Sequence, residues 1–593
     1  MKDFIKFFFA SILAILTLGV MTVCSVFAIG AVAESSDTDI KIKDKTVLVF
    51  NMDINITEQS PDDDPFSDLA SQFSGQESPK SISMTNIIKA LDKAQEDDRI
   101  SALYIKGNLT GAGPAVLKEI REALIRFKTK KPIYAFNSGW SKSDLMLVAA
   151  ATRLYLDPMG VIEMNGFAAE PMFYGDAFKK YGIDIQVTRV GKYKSAVEPF
   201  TTNKMSEASR EQTTKLLTDI WSEWKLAISA DRKIQLDQIQ TIADEKGFLF
   251  AGEAKSLGMI DEIKEDNDVL SELKVLSGKK ESDKTFNQIS LQRYLKADED
   301  DATPRSSENR IAVVFAEGTI VDGNGSIGEI GGESLSRQLR RLRSDSSVKA
   351  VVLRVNSPGG SAYASELIQR ELVLIQKDKP VVVSMGYVAA SGGYWISTYA
   401  NRIFAQPNTI TGSIGVFGLF PNIKGLGNSV GITWDEVKTA ELAAMQTTSR
   451  PKTSAELARY QLGVDKIYDD FIKMVAEGRR LKPEFVNEIA QGRVWSGKEA
   501  IKLGLVDELG GLSQAIDHAA LIAKLGDDYQ IEYAKPPLGT VERILKFLRE
   551  DDPIAYGKMS VLGRQIRNQF SWLNSLNDPN GIYARMPYDL NIK

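Results

Sequence analysis

"VKAVVLRVNSPGGSAYASELIQRELVLIQKDKPVVVSM", residues 348–385, decides the fold. The apolar, β-branched run "AVVLRV" reads as a buried strand, and Asn356-Ser357-Pro358-Gly359-Gly360-Ser361 supplies the turn that ends it. From Ala362 apolar residues recur at helical spacing up to Lys379-Pro380, after which "VVVSM" begins a second strand. Strand, glycine turn, amphipathic helix and strand form a βαβ unit, the building block of α/β domains with a parallel sheet.

The unit occurs twice. "RISALYIKGNLTGAGPAVLKEIREALIRFKTKKPIYAF", residues 99–136, follows the same order, with Pro132 in the position of Pro380 and Asn108 in that of Asn356. Further on, "LVAAATRLYLDPMGVIEMNGF" parallels "WISTYANRIFAQPNTITGSIGVF", and "GFLFAGEAKSLGMIDEI" parallels "GRVWSGKEAIKLGLVDEL". The copies are about 250 positions apart, so the repeated unit is a whole domain and not a solenoid module. The chain divides into an N-terminal anchor and stalk, 1–45; a first repeat, 46–280; a charged linker, 281–309; a second repeat, 310–540; and a C-terminal extension, 541–593, whose end is turn-rich. Residues 57–81 within the first repeat are polar and read as a mobile loop.

Residues 7–33 carry no charge, ample at about 1.5 Å per residue for a hydrocarbon core of about 30 Å. Lys2 and Lys6 precede this run while Glu34, Asp37 and Asp39 follow it, so the positive-inside bias sets the remainder of the chain outside the cytoplasm. Ala31-Val32-Ala33 leaves a cleaved signal peptide as the alternative, but the run exceeds the usual apolar region of about 7–15 residues. The expectation is an uncleaved transmembrane helix.

Across 593 residues, 43% are apolar and 25% charged, as in a globular protein with a substantial core. The net charge of −5 argues against nucleic-acid binding, which needs a basic face. The single cysteine, Cys24, excludes an internal disulfide, a CxxC redox pair and a cysteine zinc cluster. The single histidine excludes a three-His metal site and leaves only His518 for any His-dependent triad. His518 lies in the helical stretch "SQAIDHAALIAKL", where a structural role is expected, so acid–base chemistry falls to Lys, Asp or Glu.

Two junctions have the makings of a site. In "NSPGGS" the glycines leave backbone N–H groups unobstructed before a helix, which suits either a phosphate or an oxyanion. The motif matches neither a Walker A loop nor GxGxxG, which makes nucleotide binding the weaker reading. In "VVVSMGYVAASGGYWISTYA" small residues expose Ser391 where a helix begins, with the Gly392 amide beside it; an ordinary N-cap is the alternative. A serine nucleophile needs a base, and with histidine nearly excluded lysine is the established substitute. The first repeat offers Lys192 and Lys194 in "TRVGKYKSAVEPF", read as an extended segment with both lysines on one face. A lysine with its ordinary pKa of about 10.4 becomes a base only when desolvated or set beside another cation, and most such pairs are simply solvated.

Taken together and in order, "RVGKYKSAVEPF", "NSPGGS" and "VAASGGYWIS" resemble the bacterial signal peptide peptidase (SppA) family in its long, two-repeat form, over nearly the whole chain. That family consists of membrane-anchored Ser-Lys proteases, so the resemblance implies two tandem ClpP/crotonase-like α/β domains after an N-terminal transmembrane helix. It matches Ser391 to the nucleophile and Lys194, not Lys192, to the general base. The amides of Gly360 and Gly392 become the expected oxyanion donors and Ser413 a candidate hydrogen-bond partner of the lysine. It also implies no metal or organic cofactor, cleaved signal peptides and other peptides as substrates, a homotetramer, and catalytic domains on the periplasmic side of the bacterial inner membrane.

Aligned on "ATR" and "ANR", the repeats set Lys142 opposite Ser391; aligned on Val190 and Val437, they set Glu441 opposite Lys194. Ala112 replaces the second glycine of the "SPGG" turn. Each repeat therefore lacks one half of the dyad, and the active site is expected only where the repeats meet. The rivals are a crotonase-like acyl-CoA enzyme, which has no need of the Lys-Ser pair, and a degenerate membrane scaffold, in which the dyad motifs should have decayed in both copies.

Overall fold

Alternate residues along the strands of the second repeat face two different cores, and that alternation builds the molecule. The computed structural model describes residues 41–59, 81–301, 307–326, 328–534, 577–578 and 581–586. Ala312, Val314, Val351, Leu353 and Val383 pack on the helices Gly332–Ser344 and Ala362–Gln376 through Leu335, Leu339, Ile368 and Leu372. Ile311, Val313, Ala350, Val352 and Val382 point the other way, onto the helix Leu512–Ile522 and into the core of the first repeat. Strands buried on both faces read as continuous apolar runs, the pattern that "AVVLRV" and "VVVSM" display.

Each repeat has its own mainly parallel sheet. In the first the order is Gln288–Ser290, Thr46–Asn51, Ile100–Lys106, Ile133–Trp140, Arg153–Glu163 and an antiparallel edge, Phe248–Phe250. In the second it is Val494–Ser496, Ile410–Gly412, Val381–Ala390, Val348–Ser357, Arg310–Glu317 and Gln530–Ala534, with the Val494–Ser496 edge antiparallel. A third sheet is shared. Asp184–Val190 of the first repeat runs antiparallel to Val416–Asn422 of the second over seven paired residues, from Val190–Val416 to Asp184–Asn422. That sheet continues through Ile582–Arg585, Gly359–Ser361, Thr319–Val321 and Glu329–Gly331. The fold class is mixed α/β.

A buried charge cluster also joins the repeats. The Arg354 guanidinium, fully excluded from solvent on the strand that leads into the "NSPGG" turn, donates to Glu58 at 2.9 Å and to Glu119 at 2.6 Å. Its remaining edge donates to Ser384 Oγ at 2.8 Å, and Glu119 accepts the Leu512 amide at 2.7 Å. Burial pushes the Glu119 carboxyl up while Arg354 draws it down.

Three sequence expectations need amending. Glu58, in the segment read as a mobile polar loop, is buried because Arg354 pairs with it; residues 60–80 lie outside the described residues. The charged linker supplies the strand Gln288–Ser290 and the helix Leu291–Asp301, whose few apolar residues, Leu291, Tyr294, Leu295 and Ala297, are all buried. The C-terminal extension supplies Ile582–Arg585, a strand of the shared sheet. Residues 7–33, the expected transmembrane helix, lie outside the described residues; among those described, no helix is long and apolar enough to cross a membrane.

Candidate active site

The strand Val381–Ala390 delivers Ser391. At its end the backbone turns sharply, with Ser391 at φ 55° and ψ −111°, its amide donating to the Gly412 carbonyl at 2.8 Å and its carbonyl accepting from Trp395 at 2.7 Å. A non-glycine residue in this region stores roughly 1–3 kcal/mol of strain, held by its surroundings. The side chain caps no helix amide, which removes the N-cap reading. It points instead at the first repeat.

Lys194 arrives from there. The strand Asp184–Val190 is held by its antiparallel partner, and the chain then turns, with the Tyr193 amide donating to the Gln491 carbonyl at 2.8 Å and that of Lys194 to Gly191 at 3.2 Å. The segment is therefore a turn and not the extended stretch expected from sequence, and it splits the two lysines. Lys192 is exposed, its ammonium 5.0 Å from the Tyr193 ring; Lys194 is completely buried. Gly492 lets the second repeat close over it, since a Cβ there would stand 2.7 Å from the Lys194 Cβ.

Lys194 Nζ lies 2.8 Å from Ser391 Oγ, 3.0 Å from the Ser413 carbonyl and 3.1 Å from Ser413 Oγ. Burial alone pushes the amine well below its ordinary pKa, which favours the neutral form and its free lone pair. Ser413 is itself held at φ 49°, with its amide donating to the Arg493 carbonyl at 2.7 Å. A buried neutral amine in hydrogen-bond contact with a strained serine is the arrangement that activates a hydroxyl for attack.

Gly392 follows Ser391 directly, and Gly360 follows Gly359, where a Cβ would stand 2.5 Å from the Gly392 nitrogen; neither Gly360 nor Gly392 has room for a side chain. A Cβ on Gly360 would overlap the Ile320 carbonyl; one on Gly392 would stand 2.7 Å from Ser365 Oγ and 3.0 Å from the Ala584 carbonyl. Among the described residues no group of His, Cys, Asp and Glu is arranged to hold a metal ion. His518 packs against Phe404, with ring centroids 5.6 Å apart, away from the dyad chemistry.

The first repeat shows what the same scaffold does without the serine. Lys142 Nζ donates at 2.6 Å to Asn165 Oδ1 and at 2.6 Å to the Gly166 carbonyl, and Glu163 stands 3.4 Å away. Gly166 aligns with Gly415, whose carbonyl faces Ser391 Oγ at 3.4 Å. The lysine thus fills the space next to that carbonyl with a paired cation. Glu441, aligned with Lys194, is exposed.

A family model described as "Peptidase family S49" matches this sequence twice, over residues 125–280 and 374–526. The chain belongs to peptidase family S49. One S49 match contains Lys194 and the other Ser391. Among relatives, "Protease 4" of Haemophilus influenzae is 34% identical over 564 residues, covering 90% of either chain. "Protease 4" of Salmonella typhi is 38% identical over 75% of this chain and 72% of its own. "Putative signal peptide peptidase SppA" of Enterococcus faecium is 38% identical over 34% of this chain and 59% of its own. A solved structure of a mutant ClpP1 from Listeria monocytogenes overlaps 34% of this chain and 94% of its own at 19% identity, with a TM-score of 0.24. As an S49 member the chain is a serine protease.

The strand Ile582–Arg585 went unnoticed in the sequence. Its signal is slight: four residues, "IYAR", after the turn-forming "NDPNG".

Proposed function

We propose that this protein is a membrane-anchored endopeptidase with a Ser391–Lys194 dyad, acting on signal peptides already cleaved from their exported proteins. Neutral Lys194 takes the Ser391 proton, and the alkoxide attacks a peptide carbonyl. The amides of Gly360 and Gly392 hold the tetrahedral oxyanion, and Ser413 fixes the lysine. Lys194 then protonates the leaving amine, and a water activated by the same amine hydrolyses the acyl-enzyme. The observation that carries this reading is the 2.8 Å contact between the buried Lys194 amine and Ser391 Oγ.

The signal-peptide assignment leans on the resemblance of the dyad motifs and on a relative named for that activity. The same resemblance supports a ClpP/crotonase-like fold for each repeat, a homotetramer, and an anchor at residues 7–33 that sets the catalytic repeats on the periplasmic face of the inner membrane. The deciding experiment compares hydrolysis of a synthetic signal peptide by the full chain with that by Ser391→Ala and Lys194→Ala variants. Both variants are expected to be inactive; full activity in either would overturn the dyad.

A further inference from the structure

The surroundings of Ser391 have an image in the first repeat, and there the fold leaves a cavity of about 290 Å³, close to the lower bound of about 300 Å³ for ligand pockets. Its lining residues are counterparts of those around the dyad. Ala112 and Gly113 take the places of Gly360 and Ser361, Lys142 and Ser143 those of Ser391 and Gly392, and Phe167 that of Val416. Leu117, Met146, Ile220 and Trp224 make the walls apolar, and the second repeat contributes Tyr387 and Asn408. Two polar groups stand out against these walls. Lys142 is only 7% exposed, and its ammonium lies 5.3 Å from the Phe167 ring centroid. It gives two N–H groups to neutral oxygens, Asn165 Oδ1 and the Gly166 carbonyl, both at 2.6 Å. Among the described residues only Glu163, half-exposed and 3.4 Å away, offsets its charge. Asn408 is 3% exposed, and its Oδ1 accepts no hydrogen bond from any described residue. Buried acceptors are nearly always satisfied, so an empty one at a cavity wall marks a place for a donor.

We propose that this cavity is a second peptide site, one that holds a peptide by its C-terminal end without cutting it. The Lys142 ammonium receives the terminal carboxylate, a charge-assisted contact that a mid-chain carbonyl cannot match, and the half-exposed Glu163 swings out to water. The last side chain lies against Leu117, Met146 and Trp224, and a peptide N–H donates to Asn408 Oδ1. The volume admits the end of a peptide and not its length. The ligand class is therefore a peptide that ends in a small or aliphatic residue with a free carboxylate. The first repeat has no serine at the nucleophile position, so the peptide is retained and not hydrolysed. A cleaved signal peptide ends in this way, in a small residue whose carboxylate has just been freed. In naming that ligand the inference rests on the proposed function. The site also borders the strand Val381–Ala390, whose Tyr387 it shares and which delivers Ser391, so a peptide held there waits beside the catalytic repeat.

Photo-crosslinking to the full chain in a Ser391→Ala background tests this. The probes are acetyl-Ala-Ala-photoleucine with a free C-terminal carboxylate and the same peptide as its C-terminal amide, and mass spectrometry locates the residues they label. The acid is expected to label Leu117, Met146 or Trp224 at concentrations about tenfold or more below those the amide needs, the difference made by one contact to a charged group. That comparison requires no change in the cavity. Lys142→Met should erase the preference for the acid, and Leu117→Trp, which fills the cavity, should abolish labelling there by both probes. Equal labelling by acid and amide, or labelling confined to the segments around Gly360 and residue 391, would overturn the proposal. Cleavage of an ordinary peptide by the Ser391→Ala protein would sink the Ser391–Lys194 reading alone, and the crosslinks would still decide for or against the cavity.

Discussion

Lys194 Nζ lies 2.8 Å from Ser391 Oγ, and among the described residues no carboxylate forms an ion pair with that amine. Its neighbours are two hydroxyls and a carbonyl, none able to neutralise an ammonium. Protonating Lys194 in the folded chain would bury an unpaired charge, which is why burial alone drives its pKa down.

Replacing Lys194 by methionine keeps the shape and removes the desolvated amine. The expected result is loss of peptidase activity by about 10³–10⁶ in kcat together with a gain in stability on the order of 1 kcal/mol. Chemical denaturation and steady-state kinetics on the same preparation check both. A variant that lost activity and also lost several kcal/mol would mean that the lysine holds the fold together.

The pH dependence follows with a definite sign. In the unfolded chain Lys194 is protonated up to about 10.5, while the folded site holds it neutral at lower pH. The unfolded state binds the extra proton, so this residue's contribution to stability becomes more favourable as pH rises between the lowered folded pKa and the unfolded value. The stability advantage of Lys194→Met should be largest at acid pH and shrink on the alkaline side. Activity should fall on the acid side about tenfold per pH unit once the amine is protonated. An acid limb unchanged in Ser413→Ala, with kcat reduced about 10-fold to 100-fold, would fit a residue that orients the lysine.

Gly392→Ala would press a methyl against Ser365 Oγ and the Ala584 carbonyl. The expected cost is about 10²–10³ in kcat, the loss typical of one oxyanion donor, together with a loss of stability of about 1–3 kcal/mol from the overpacked methyl. Assays on peptides of different length would show the effect in kcat and not in KM.

Arg354 offers a purely structural prediction. Arg354→Met strands Glu58 and Glu119 inside the junction between repeats, at a cost of about 3–5 kcal/mol. The triple change Arg354→Met, Glu58→Gln, Glu119→Gln should recover part of it. Equilibrium unfolding in urea measures both differences, and additivity of the three single changes would argue against a coupled cluster.

Much of this was legible in the chain. The strand–glycine–helix pattern, the duplication and the positions of Ser391 and Lys194 all lie in local runs with strong periodicity or unusual small-residue content. What escaped reading depends on distant partners. Asp184–Val190 has too little apolar character to announce a strand and is fixed by Val416–Asn422, more than two hundred positions away. Glu58 looked like any acidic loop residue until Arg354 accounted for it. The turn after Val190, which buries one lysine and exposes the next but one, is set by the Gln491 carbonyl in the other repeat.

The cross-repeat pairing of Asp184–Val190 with Val416–Asn422 also has a meaning in time. Synthesis proceeds at about 5–20 residues per second, so roughly 10–40 s separate the emergence of Lys194 from that of Ser391. Throughout that interval the lysine has no burial and remains an ordinary protonated side chain in water. A growing chain therefore carries no active protease, and proteolytic competence waits until the second repeat has been made and has closed on the first.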